Sequence, residues 1–258
     1  MYKIMTAGPT QVRENVRMAR SLETTNPDLD VAFCEFYKET CDLLQELLHS
    51  SGTAYILGGE GILGLEAACA SLTEPGDRVL VLDNGIFGKG FADFAKMYGG
   101  EPVLFTSDYQ KPIDAAELRA FLEKDSDFKY ATVVHCDTPS GVINDVSVIC
   151  PILAEFGILS VVDSVAGMFG EYVNVDESQI DILCGGSQKA LSAPAGLTML
   201  WVSDKAMAAM ENRKTPIAAF YANILTFKTY YEDKWFPYTM PISDINGLRV
   251  AVDNVKAE

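Results

Sequence analysis

The sequence predicts an α/β protein in which helices cover both faces of a mostly parallel, mixed sheet, in a three-layer α/β/α arrangement. Two observations support this prediction. Predicted strands alternate with predicted helices, and most of the strands are apolar along their whole length. Strands of this kind are typical of parallel sheets buried on both faces. Ligands of such sheets bind beyond the carboxyl ends of the strands, so the residues that follow each strand are the first candidates for a site.

The predicted elements begin with a turn at Ala7-Gly8-Pro9-Thr10 and an amphipathic helix at 31–49, where apolar residues recur at helical spacing. A β-prone run at 53–57 and an apolar helix at 62–72 flank a glycine-rich turn. The elements predicted next are strands at 78–82, 101–106, 130–135 and 158–162, helices at 92–98 and 115–124 with Asp114 as an N-cap, and a helix that Ser147 caps and that runs to Phe156.

The region after Trp201 is predicted to be mostly helical, and Ser243 is a candidate cap for the last helix, at 245–255. We expect the apolar residues of that helix to form an exposed docking surface. They are Ile245, Leu248, Val252 and Val255.

Composition excludes several classes of function. The 258 residues carry a formal net charge of −16, which argues against nucleic acid or an anionic membrane as a partner. No apolar run is long enough to span a bilayer, and the first residues do not resemble a signal peptide. The six cysteines are scattered without a Cys-x-x-Cys pair, as expected of reduced thiols in a cytoplasmic protein, and two histidines make a metal site improbable.

The turn Gly59-Glu60-Gly61-Ile62 lies between a predicted strand and a predicted helix. Bare backbone N–H groups at a helix N-terminus form a natural cradle for phosphate. Glycine turns also serve merely to reverse the chain, so this signal alone is weak.

Asp163 and Lys189 are the two charged residues that most need an explanation. Asp163 ends an apolar strand, where a carboxylate is costly unless it is capped or faces a positive group. Lys189 lies in a glycine-rich turn, Gly185–Gly196, and has no charged neighbour within seven residues. Such a lysine either extends from a loop into solvent or forms a Schiff base with an aldehyde.

Pyridoxal phosphate would use both residues. It needs a lysine for the Schiff base, a carboxylate on the pyridine nitrogen, a flat side chain against the ring, and donors for the phosphate and the phenolic oxygen. The residues available at strand ends for these roles are Lys189, Asp163, Phe87 on one ring face, Val165 on the other, Thr138 for the oxygen, and Gly59, Glu60, Gly61, Ile62, Ser187 and Gln188 for the phosphate.

The chain resembles class V aminotransferases of the fold-type I pyridoxal phosphate enzymes, in particular the alanine–glyoxylate and serine–pyruvate branch. The segments that carry the resemblance are Gly8-Pro9-Thr10, Asn84-Gly85-Ile86-Phe87-Gly88, His135–Gly141, Val162-Asp163-Ser164-Val165-Ala166, and Gly186–Leu191 with Ala193–Gly196. The resemblance implies the PLP-transferase large domain as the fold, Lys189 as the Schiff-base lysine, Asp163 on the ring nitrogen and Phe87 and Val165 against the ring. It also implies a homodimer in which Thr239, with Phe236 or Tyr238, reaches the neighbour's phosphate.

The chain departs from the family pattern at the phosphate turn and at its end. The family usually has Gly-Ser-Gly-Thr where this chain has Gly59-Glu60-Gly61-Ile62, so a hydroxyl is missing and a carboxylate lies near the expected phosphate. Asp137 stands where the family has glutamate. The expected organisation is an N-terminal segment (1–15), a cofactor-binding large domain (16–242) and the start of a linker helix (243–258) to a C-terminal small domain that is absent.

The resemblance implies pyridoxal phosphate-dependent transamination between a small amino acid, such as alanine or serine, and pyruvate or glyoxylate. The 2-aminoethylphosphonate branch of the family stays open. A cysteine desulfurase or lyase on the same fold is one alternative, which Cys136 beside the expected site keeps open. A truncated fragment without catalysis is the other.

Overall fold

The computed structural model describes residues 3–258 and confirms the predicted class, a mixed sheet between layers of helices. The strands are β1 (Thr53–Gly58), β2 (Arg78–Asp83), β3 (Glu101–Thr106), β4 (Tyr130–Val134), β5 (Cys136–Asp137), β6 (Val142–Ile143), β7 (Leu159–Asp163), β8 (Ile182–Gly186) and β9 (Leu197–Val202). The helices are α1 (Glu14–Ala19), α2 (Val31–Leu47), α3 (Gly61–Leu72), α4 (Ile86–Met97), α5 (Ala115–Leu122), α6 (Val146–Glu155), α7 (Asp204–Glu211), α8 (Tyr230–Asp233) and α9 (Ile242–Ala257), with a 3-10 helix at Ile224–Phe227.

The order of the strands brings the candidate residues to one edge of the sheet. The seven strands of the main sheet lie in the order β1-β9-β8-β7-β4-β2-β3. The pairs β8–β7, β7–β4, β4–β2 and β2–β3 are parallel, and β9 runs antiparallel to both of its neighbours, β1 and β8. The carboxyl ends of the six strands of this sheet other than β9 therefore meet at one edge, with β7 at the centre. This edge is where a ligand of such a sheet is expected.

The helix that follows β2 begins earlier than predicted. The sequence predicted a helix at 92–98, whereas α4 begins at Ile86, directly after the strand-ending turn. Gly88 and Gly90 lowered the helical propensity of this stretch, and the contacts of α4 with β2 and β3 outweigh that weakness. Phe87 consequently lies in the first turn of a helix, which fixes its backbone.

Two predicted helix starts were also wrong. Asp145 caps α6, where Ser147 was predicted, because its carboxylate accepts the Ser147 N–H. Helix α9 begins at Ile242 without a side-chain cap, so Ser243 does not cap it. The predicted cap Asp114 is confirmed, since it accepts from Ala116 N and Glu117 N.

The apolar face of α9 is covered, which corrects the prediction of an exposed docking surface. Ile245, Leu248 and Val252 are fully buried, and Val255 is half-buried. Helices α1 and α2 pack on α9 and supply the cover. The sequence prediction missed this because α1 is short and weakly patterned.

Phe236 belongs to the core of its own chain. Its ring lies 4.9 Å from that of Tyr37 and 5.4 Å from that of Tyr230, and only 4% of the residue is exposed. The predicted reach of Phe236 into a neighbouring subunit is therefore wrong. Within residues 3–258, no helix has the length and apolar character needed to cross a bilayer.

Glu74 ties the loop after α3 to the segment after α7. Its carboxylate accepts from Lys214 N, Thr215 N and Thr215 Oγ1, and it pairs with Lys129 Nζ at 3.2 Å. Partial burial opposes ionisation, but the hydrogen bonds from Thr215, Lys129 and Lys214 prevail and lower the pKa of Glu74 to about 2. A carboxyl group with a lowered pKa stabilises the folded chain above its ordinary pKa, and the contribution fades as pH falls toward the folded value.

We predict that Glu74→Gln lowers the free energy of unfolding at pH 7 by about 2 kcal/mol. Urea denaturation at pH 7, 5.5 and 3.5 measures this, and the difference from the unmodified protein should shrink at the lowest pH. Glu177→Gln is the matched control, because the Glu177 carboxylate has no hydrogen-bond partner in residues 3–258. A constant difference at every pH would contradict the assignment.

Candidate active site

Most of the predicted residues line one cleft at the carboxyl edge of the sheet. The cleft encloses about 560 Å³ that protein atoms do not fill, part of it open to solvent, a volume usual for small-molecule sites. Its walls come from segments that follow β1, β2, β4, β7 and β8. The predicted residues on its walls are Glu60, Ile62, Phe87, Thr138, Asp163, Val165, Gln188 and Lys189.

Four predicted residues do not line the cleft. Gly59 and Gly61 are not among the lining residues, and Gly61 lies so close to Val165 that a side chain there would come within 2.7 Å of Val165 Cγ2. Ser187 is buried with its hydroxyl donating to Pro194 O at 2.6 Å, so its predicted role as a phosphate donor is wrong. Thr239 is exposed and donates to Asp28, outside its own cleft. Its predicted contact therefore concerns only a neighbouring subunit.

Asp163 is the buried charge of the cleft. It ends the central strand, is 6% exposed, and accepts a hydrogen bond from Val165 N at 2.9 Å through Oδ1. Burial raises its pKa to about 6, although the Val165 hydrogen bond and the charge of Lys189 work in the opposite direction. Among residues 3–258 no group donates a hydrogen bond to Oδ2. A buried carboxylate in this state is stabilised by a cationic N–H donor in the cleft.

Lys189 follows the adjacent strand, β8, and is half-buried in the cleft wall. Its side chain forms no ion pair with any residue that the structure describes. Its backbone is held by the N-terminal segment, because Thr10 Oγ1 donates to Lys189 O at 2.7 Å and Thr10 N donates to Gln188 O at 2.9 Å. The lysine amine is thus available to a ligand, while its loop is fixed.

The end of the cleft at α3 carries a carboxylate. Glu60 caps α3: Oε1 accepts from Ile62 N at 3.1 Å, and Oε2 accepts from Gln188 Nε2 at 3.0 Å. Gln188 Oε1 is buried and has no partner among the described residues. The helix end that would bind a phosphate is therefore occupied by a negative group, and a buried acceptor beside it lacks a donor.

Pyridoxal phosphate fits the two ends of this cleft differently. A protonated pyridine nitrogen suits the buried Asp163 carboxylate, and the unpaired Lys189 amine suits an aldehyde. At the other end, a phosphate can use the Ile62 N–H only if the exposed Glu60 side chain moves away. The ring end fits as the chain stands, and the phosphate end fits after one side-chain rearrangement.

Sequence reasoning gave no cleft role to Leu65, Ala166 and the N-terminal Gly8, and it treated Cys136 only as a neighbour of the site. Cys136 is the only partly exposed cysteine in the described part of the chain, and burial raises the pKa of its thiol. Leu65 was signalled by its position three residues after Ile62 on one helix face. Gly8 had no local signal, since its contact with Lys189 joins distant parts of the chain. No cluster of three or more potential metal-binding side chains occurs in residues 3–258.

Comparison with known proteins places the chain in a family. The family model for class V aminotransferases matches residues 25–257. A pyridoxamine–pyruvate transaminase of Mesorhizobium japonicum is 36% identical over 96% of this chain and 63% of its own length. An uncharacterised aminotransferase of Methanocaldococcus jannaschii is 32% identical over 99% of this chain and 66% of its own length. The chain thus spans just under two thirds of these relatives.

Solved structures agree with the sequence comparison. The ureidoglycine–glyoxylate aminotransferase of Bacillus subtilis superposes with a TM-score of 0.96 at 29% identity, over 100% of this chain and 67% of its own. The pyridoxamine–pyruvate aminotransferase of Mesorhizobium loti superposes with a TM-score of 0.93 at 35% identity, over 99% and 65%. Together with the family match, the cleft and its lysine identify the chain as a member of the class V aminotransferases, whose cofactor is pyridoxal 5′-phosphate.

Proposed function

We propose that this chain carries the cofactor-binding large domain, residues 16–242, of a transaminase that uses Lys189 to form a Schiff base. The observation that carries the proposal is the presence of Lys189 and Asp163 at the ends of adjacent strands, in one cleft. Pyridoxal phosphate, when bound, supplies an aldehyde and a pyridine ring that withdraws electrons from the substrate α-carbon. The residues of the chain supply the binding, the orientation and the proton transfers.

Lys189 has two roles in this proposal. When the cofactor is bound, its amine would hold the aldehyde carbon covalently, with the aldehyde oxygen leaving as water, and after release Nζ would take the proton from the substrate α-carbon. Thr10 keeps the lysine backbone in place during both steps through its hydrogen bonds to Gln188 O and Lys189 O. This arrangement suits a lysine whose side-chain amine must move while its backbone stays in place.

Asp163 holds the proton on the pyridine nitrogen. With the protonated pyridine nitrogen beside it, the Asp163 carboxylate is part of a hydrogen-bonded ion pair and no longer an isolated buried charge, which lowers the cost of burying it. Phe87 and Val165 hold the ring between them, and Thr138 donates its hydroxyl to the phenolic oxygen. These roles are supported by the positions of all three side chains on the cleft wall.

The proposed substrates are a small amino acid, such as alanine or serine, and pyruvate or glyoxylate. Support comes from relatives whose names specify pyruvate or glyoxylate as the acceptor. We further propose a cytoplasmic homodimer in which Thr239 reaches the neighbour's cleft; Tyr238 does not, because its hydroxyl is buried in its own chain and its ring stacks on that of Tyr221. The exposed Thr239 and the free thiols of the described cysteines support these two points.

A second candidate is transamination between pyridoxamine and pyruvate, as the name of one relative specifies. Glu60 favours it. Pyridoxamine carries a hydroxymethyl group in place of a phosphate, so it does not bring a dianion to the Glu60 carboxylate. Its hydroxyl can also donate to Gln188 Oε1, the buried acceptor that lacks a partner. Under this hypothesis pyridoxamine is a substrate whose product leaves the site, rather than a resident cofactor.

The first prediction concerns Lys189. Addition of pyridoxal or pyridoxal phosphate should produce a visible absorption band, and Lys189→Ala should abolish it. The same change should lower transamination by about 10³-fold, because both the covalent link and the base are lost. Lys96→Ala, an exposed lysine on α4, is the matched control and should leave the band intact. An equal band in Lys189→Ala would refute the assignment.

The second prediction separates the two candidate functions. If Glu60 repels phosphate, the unmodified protein binds pyridoxal more tightly than pyridoxal phosphate, and Glu60→Gln tightens only phosphate binding, about tenfold. Spectroscopic titration measures both dissociation constants, with Glu123→Gln as an exposed control. Equal constants in both proteins would favour the resident cofactor and reject the role of Glu60. Conversion of added pyridoxamine and pyruvate into free pyridoxal and alanine would support the second candidate.

The third prediction concerns the cost of burying Asp163. Its folded pKa, about 6, exceeds the ordinary value of 3.8, so folding favours the protonated form, and ionisation destabilises the ligand-free chain as pH rises between these values. Asp163→Asn should therefore raise the free energy of unfolding at pH 7.5 by about 2 kcal/mol and change it little at pH 3.5. Urea denaturation tests this, with the exposed Asp93→Asn as control. Destabilisation at pH 7.5 would contradict it.

A further inference from the structure

The N-terminal segment lies against the side chain of Lys189. An ideal Cβ atom added to Gly8 would lie 2.8 Å from Lys189 Cε and 2.9 Å from Nζ, and it would overlap Cδ. Separations under 3.0 Å are not tolerated, so any side chain at position 8 would force the lysine to move. Gly8 and Lys189 lie far apart in the sequence, and only the fold brings them together.

Thr10 fastens this segment to the lysine loop. Its N–H donates to Gln188 O, and its hydroxyl donates to Lys189 O at 2.7 Å and lies 3.3 Å from Ser192 Oγ. Within the segment, Thr6 Oγ1 donates to Pro9 O at 2.7 Å. Because Thr10 is only two residues from Gly8, the contact between Gly8 and Lys189 is set by several hydrogen bonds and not by one flexible arm.

We propose that Gly8 is a positioning residue: the space left by its missing side chain holds the Lys189 amine toward the cleft. The proposal rests on the Schiff-base role proposed above for Lys189. Gly8 itself touches no reacting atom. It acts only by leaving the space in which the methylene groups of Lys189 lie.

The contact predicts that a substitution at position 8 moves the Lys189 side chain without lowering the stability of the fold. The atoms that a Cβ at position 8 would meet belong to the far end of a flexible side chain, which can swing away without a change in the backbone. The fold should therefore tolerate alanine at this position, whereas the position of Nζ should not. If Gly8 only supported the fold, alanine at this position would lower the melting temperature and leave the position of Nζ unchanged.

The test compares Gly8→Ala with Gly90→Ala, a glycine on α4 whose added Cβ would meet nothing within 4 Å. Limited acetylation followed by peptide mass spectrometry reports the reactivity of Lys189 relative to the exposed Lys96, without any cofactor. We expect Gly8→Ala to raise the Lys189 ratio at least threefold, because the displaced amine gains solvent, with an unchanged melting temperature. Gly90→Ala should leave the Lys189 ratio unchanged, and because alanine favours a helix it should not lower the melting temperature.

A second readout links the displacement to the chemistry. The dissociation constant for pyridoxal, followed by its absorption band, should weaken at least tenfold in Gly8→Ala. An unchanged acetylation ratio, or a changed ratio with an unchanged dissociation constant, would overturn the proposal. If the unmodified protein forms no band at all, the proposed function fails, and the acetylation ratio then still decides whether Gly8 positions Lys189.

Discussion

The site depends on one buried charge, the carboxylate of Asp163 at the end of the central strand. Burial makes its ionised form unfavourable, and the cleft residues do not compensate for that cost: Val165 N supplies one hydrogen bond and Lys189 a nearby charge, yet the pKa stays raised. A fold that keeps such a group loses stability when no ligand is present. A protonated pyridine nitrogen turns the same carboxylate into one half of an ion pair, so the cost of the empty site becomes a preference for this class of ligand.

The opposite end of the cleft, at the start of α3, carries the carboxylate of Glu60. A helix N-terminus attracts anions, and Glu60 already satisfies it from within the chain. The bond from Gln188 Nε2 holds the carboxylate there and turns Gln188 Oε1 into a buried acceptor without a partner. A neutral donor meets these requirements more simply than a dianion. Under the proposed function, the cleft thus favours a pyridoxal-type ring at the Asp163 end and disfavours a phosphate at the Glu60 end.

Sequence reasoning succeeded where chemistry and local pattern coincide. Apolar strands predicted the buried sheet, and the rule of strand ends predicted that Lys189, Asp163, Thr138 and Phe87 would converge, as they do. It failed where packing decides: Ser187 has the residue type of a phosphate ligand, but it is buried and its hydroxyl donates to Pro194 O. Phe236 and the apolar face of α9 appeared available only because their partners, Tyr37 and α1, lie far away in sequence. Glu60 was recognised as a departure, but its bond to Gln188 required the fold.

The most direct test of this account is to locate the covalent attachment. The protein is mixed with pyridoxal, reduced with sodium borohydride and digested, and the modified peptide is identified by mass spectrometry. The account predicts one stoichiometric adduct on Lys189, because this is the lysine that lines the same cleft as the buried carboxylate. Adducts distributed over exposed lysines, with none enriched at Lys189, would contradict it.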